Sequence, residues 1–107
     1  MDETVIEKVS LSARKDRVIL SLTQPDPWDA EGVMNSLLTR IGGYISVIES
    51  GSLARELPET EGMPATLRIV FHEVMPDKAA EKMALVNGRL QERGIGMELL
   101  HVSVGYS

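Results

Sequence analysis

The sequence predicts an α/β (α+β) fold. The expected architecture is a two-layer sandwich of order ββαβαβ, a mixed four-stranded sheet with two helices on one face. Three observations predict it. Four segments alternate apolar and polar residues with period two. Two others carry apolar residues at spacings of three and four. These two lie between strands two and three and between strands three and four, so a pair of parallel crossovers is the economical connection. The length of 107 residues fits a single domain over 1–107.

The first strand is expected over Val5–Ser12, with Val5, Val9 and Leu11 on its core face and Glu7 interrupting. Arg14-Lys15-Asp16 reads as a polar turn into a second strand, Arg17–Thr23, so these two form a hairpin. Val18, Leu20 and Leu22 alternate there with Arg17, Ile19 and Ser21. Pro27 ends strand character. Asp26 or Asp29 is expected to cap the following helix, where acidic groups meet the positive end of its dipole.

That helix runs to about Ser50 on the stripe Met34, Leu37, Leu38, Ile41, Ile45 and Ile48, and Gly51 stops it. Gly42-Gly43 weakens it by about 1 kcal/mol per glycine and predicts a kink or a close approach to the sheet. Leu53–Pro64 reads as a long acidic surface loop. Strand three is expected over Thr66–Val74, with Leu67, Ile69 and Phe71 inward and Arg68, Val70, His72 and Val74 outward. Pro76-Asp77 opens the second helix, whose inner stripe is Ala79, Met83, Val86 and Leu90 and whose stop is Gly94. Strand four is expected over Met97–Val104, with Leu100, Val102 and Val104 inward and Met97, Leu99, His101 and Ser103 outward.

Charge and composition exclude several classes. Hydrophobic residues at 43% and charged residues at 25% are globular proportions. A net charge of −5 lacks the basic footprint of a nucleic-acid binder. The four aromatics Trp28, Tyr44, Phe71 and Tyr106 are too few for a base-stacking platform. No cysteine is present, so thiol nucleophiles and zinc thiolate sites are excluded. Met1-Asp2-Glu3 opens unlike a signal peptide, and the longest aliphatic run, Met83–Val86, is far short of a membrane span. A cytoplasmic protein with no membrane and no nucleic-acid partner is expected.

The chain resembles a family of small, uncharacterised bacterial proteins, a domain of unknown function with a Trp-Asp pair after the opening hairpin. The resemblance rests on Val5-Ile6, Arg17-Val18-Ile19-Leu20, Trp28-Asp29, Tyr44, Glu49-Ser50-Gly51, Leu67-Arg68-Ile69-Val70-Phe71 and Gly94-Ile95. It implies the same element order and carries no activity with it. Gly42-Gly43 departs from the helix formers of that family and would interrupt the first helix.

Catalytic signatures are missing: no phosphate-binding glycine loop, no nucleophile elbow, no serine set beside a histidine and an acid. No cofactor is expected, and His72 with His101 alone does not make a metal site. Two readings remain. In the first, the chain is a non-catalytic interaction module acting on a protein partner or on itself. Ile19, Val70, His72, Leu99 and His101, joined by Val74 and Met97, would form its interface on the uncovered sheet face. In the second, it is a small-molecule binder or enzyme subunit with a site at Trp28, Asp29 and Asp26, near the 53–64 loop. Trp28 serves either reading, as a core cap at a helix start or as an aromatic that grips a partner.

Overall fold

A computed structural model describes residues 8–14 and 16–102. The expectations placed on Val5, Ile6, Lys15, Ser103, Val104 and Tyr106 lie outside the described residues. Strands β1 (Lys8–Leu11), β2 (Val18–Gln24), β3 (Ala65–Phe71) and β4 (Gly96–His101) form one sheet in the order β1-β2-β3-β4. β1 pairs antiparallel with β2, while β2, β3 and β4 are mutually parallel. The first crossover contains helix α1 (Val33–Glu49), a short helix α2 (Ser52–Glu56) and a 3-10 turn (Pro58–Thr60); the second is helix α3 (Asp77–Glu92). The α+β class, the mixed sheet and the two long helices on one face are as the sequence predicts.

One core explains that arrangement. Val18, Leu20 and Leu22 of β2 and Leu67, Ile69 and Phe71 of β3 share a face. They pack with Leu37, Ile41 and Tyr44 of α1 and Ala79, Met83 and Leu90 of α3. The alternation in β2 and β3 therefore buries exactly one side chain in two toward the helices. Tyr44 stands beside the expected apolar stripe rather than in it, yet it is 1% exposed. Its hydroxyl donates to the Ser21 carbonyl at 3.0 Å, so the ring is buried with its polar tip satisfied.

Four expectations are corrected. First, α1 starts at Val33 behind Gly32, which takes φ 79°, and no side chain caps it. Neither Asp26 nor Asp29 is the cap. Instead, turns closed by Ala30 N–H to Pro27 O and Val33 N–H to Ala30 O carry the chain from the sheet to the helix. Second, α1 is one helix of 17 residues through Gly42-Gly43. A Cβ at Gly42 would meet nothing within 4 Å, so no close approach requires glycine there. Third, the 53–64 segment is mostly folded, into α2 and the 3-10 turn, with Thr60 buried.

Fourth, β4 presents its other face. Its register sets Leu67 beside Met97, Ile69 beside Leu99 and Phe71 beside His101. Laterally paired residues share a face, so Met97, Leu99 and His101 lie on the helix side and Glu98 and Leu100 on the open side. Met97, Leu99, Leu100 and Val102 fit either phase, and pairing with β3 decides between them. Val74 also leaves the open face, because β3 ends at Phe71. His72 likewise follows the end of β3, so the open face retains Ile19 and Val70 of the expected patch. Ile19 is only 8% exposed. Arg17 Nη1 donates to Thr66 Oγ1 at 3.0 Å and Arg68 pairs with Glu98 at 3.2 Å, so much of that face is polar.

The second helix ends as expected. Ile95 N–H bonds Leu90 O and Gly94 N–H bonds Gln91 O, with Gly94 at φ 75°. Ile95 and Leu90 are both buried, completing the apolar contact of this helix stop.

Candidate binding groove at the carboxyl edge of the sheet

Because β2, β3 and β4 are parallel, Gln24, Phe71 and His101 finish at one edge. Both long helices begin there. The loops leaving β2 and β3 therefore meet over the carboxyl ends of the strands, where α/β sheets ordinarily place their ligands. Trp28 lies in the first of these loops and is 7% exposed. Its indole Nε1–H donates to the Glu73 carbonyl in the second loop at 3.0 Å, tying the two together. The Trp28 ring meets Phe71 edge-to-face at 5.6 Å, and Phe71 stacks on His101 at 5.1 Å. Three rings thus run across the strand ends from the loop to the outermost strand.

Two adjoining cavities open over this row. One, of about 380 Å³, is lined by Pro27, Trp28, Asp29, Glu73, Val74 and Pro76. The other, of about 520 Å³, lies among Trp28, Asp29, Met34, Pro76, Ala79 and Lys82, with Asp77 and Lys78 beside them. Trp28, Asp29 and Pro76 belong to both, so the two form one groove between the first turns of α1 and α3. Its apolar lining comes from Trp28, Met34, Val74, Pro76 and Ala79. Its charges are of both signs. Asp29 and Glu73 set carboxylates and Lys82 an ammonium around that apolar floor.

The expected site residues are only partly brought together. Trp28 and Asp29 line the groove. Asp26 does not; it is exposed, and its carbonyl accepts from the Gln24 side chain at 3.3 Å. The 53–64 segment lies at the opposite end of the sheet, where Val18 N–H, at the start of β2, bonds Pro64 O. It shares no site with Trp28. His101 ends β4, whereas His72 follows the last residue of β3. His72 Nδ1 contacts Val102 O at 3.0 Å and His101 Nε2 contacts His72 O at 3.3 Å, so each bridges to backbone. Among the described residues no three His, Asp or Glu side chains converge on a metal position. No helix among them is long and apolar enough to cross a membrane. The contributions of Met34, Ala79 and Lys82 are not visible in the sequence as a motif. The signal for them was the pair of parallel crossovers, which starts both helices at one edge.

The family model DUF6572, a family of unknown function, matches residues 1–103. The chain belongs to DUF6572. No curated protein and no solved structure matches it. The resemblance drawn from the residues is met at that level, and every groove residue of this DUF6572 chain lies inside the matched span.

Proposed function

We propose that this chain is a non-catalytic interaction module and that the groove over Trp28 receives an apolar side chain from a partner protein. The observation that carries the reading is the groove itself. It has ligand-sized volume, an apolar lining, and a buried tryptophan held in place by its own hydrogen bond. A wall fixed before binding loses little side-chain entropy when a partner arrives. The net charge of −5 favours a basic partner at long range, so binding should weaken as salt rises. Zero cysteines fit a reducing, cytoplasmic setting. A small apolar ligand is the second reading, favoured by the same volumes.

Trp28 is the single tryptophan, so its emission reports on the groove directly. The test is a fluorescence titration with three probes: a Leu-centred peptide flanked by lysines, the same peptide flanked by glutamates, and N-acetyl-leucinamide. Expected is a saturable shift with the lysine peptide, reduced at high salt and abolished by Met34→Arg without loss of fold. Equal affinity for N-acetyl-leucinamide would hand the site to small molecules. No shift with any probe to millimolar concentration, or binding unchanged in Met34→Arg, overturns the proposal.

A further inference from the structure

We infer that the β4 edge is a self-association site, at which a second copy of the chain adds its own β4 antiparallel and extends the sheet to eight strands. β4 is the last strand of the sheet. Val102 N–H bonds Phe71 O. In a parallel ladder this turns the even-numbered residues of β4 toward β3 and the odd-numbered ones away from it. Met97, Leu99 and His101 therefore direct their N–H and C=O groups outward. Among the described residues no strand meets them. Leu99, Leu100 and Val102 are each about 40% exposed along this edge.

Edges are normally blunted by lysine, proline, bulges or shortness. β1, the opposite edge, carries Lys8. β4 has six residues and no lysine, arginine or proline. Its one carboxylate, Glu98, is neutralised by Arg68 of its own chain.

The occupant is a second copy because the edge is complementary to itself. A two-fold axis through Leu99 sets Leu99 against Leu99, Met97 against His101, Glu98 against Leu100 and Gly96 against Val102. Every outward N–H and C=O of one strand then faces its counterpart. No like charges are directly opposed. The two Glu98 residues come no nearer than diagonal neighbours, each already paired. On the helix side, Ala80, Ala84, Asn87 and Gln91 recur at helical spacing on the flank of α3 away from Lys82 and the groove. Those four are uncharged, and Asp77, at the head of the same row, lies at the far end of the helix from Gln91.

The lack of native cysteine makes the test clean. Leu99→Cys brings two thiols together across a hydrogen-bonded pair, where Cα separations of about 5.5 Å suit a disulfide. Leu85→Cys, exposed on α3 and off the flank that holds Ala80 and Ala84, is the control. Expected is a wild-type mass near twice 11.8 kDa by light scattering at high micromolar concentration. Mild oxidation at that concentration should give a covalent dimer for Leu99→Cys and little for Leu85→Cys. Leu99→Lys should be monomeric there with unchanged circular dichroism. A wild type that stays monomeric to about 1 mM overturns the inference. So does a dimer that survives Leu99→Lys, or that Leu99→Cys fails to cross-link.

Discussion

Trp28 and Tyr44 are both buried aromatics whose polar atoms end on backbone carbonyls, yet their substitutions should differ in size. Trp28 contributes a large apolar surface, the edge contact with Phe71 and the tie to Glu73. Trp28→Ala should cost about 3–5 kcal/mol of stability in denaturant melts. Trp28→Phe should recover much of that loss, because only the indole N–H bond and part of the ring area go. Tyr44→Phe removes the hydroxyl that donates to the Ser21 carbonyl and keeps the ring. Its expected cost is about 1 kcal/mol, read in the same melts. Trp28 was legible from the sequence as a landmark, but its orientation was not. Whether it faces solvent depends on where Glu73 lies, 45 residues along the chain. Tyr44 was legible as part of the resemblance and not as core, because its hydroxyl reads as polar in a periodicity count.

At the scale of the elements, two glycines make opposite predictions. Gly42 lies inside α1 with open space where a Cβ would stand. Gly42→Ala should stabilise by about 1 kcal/mol through helix propensity, measured by thermal or denaturant unfolding. Gly94 closes α3 in a left-handed conformation at φ 75°. Gly94→Ala should destabilise by about 1 kcal/mol, since an L-residue is strained there. The helix stop at Gly94 was readable because a left-handed glycine followed by an apolar residue is a local signature. The start of α1 was not. Asp26 and Asp29 are good caps, but the turn at Pro27–Ala30 and the glycine at 32 postpone the helix by one turn. β4 misled for a related reason: its apolar residues occupy both phases of the alternation. Only lateral pairing with Leu67, Ile69 and Phe71 selects one, and that is a contact between distant segments.

For the molecule as a whole, protection should follow position in the sheet. β2 and β3 are flanked by strands on both sides and carry the most buried side chains, while β1 is a partly exposed edge. Native-state hydrogen exchange should find the slowest amides in β2 and β3 and faster ones in β1. The Arg93–Glu49 pair at 2.7 Å links the ends of α3 and α1, but both side chains are about half exposed. Arg93→Ala should change stability by less than about 1 kcal/mol, and raised salt should shrink the difference. The groove belongs to this scale too. No short motif encodes it, because its walls come from two helix starts that only the crossovers bring together.

The sheet order β1-β2-β3-β4 is also the order of the chain. Each strand as it forms finds its neighbour already made, and no strand waits for a later one to be inserted between earlier ones. In vectorial synthesis, where earlier segments emerge first, such a sheet grows by addition at one side. At each step the edge at β1 stays as it was, and the newest strand offers the only new one. New exposure to mispairing therefore travels with one moving boundary, which comes to rest at β4.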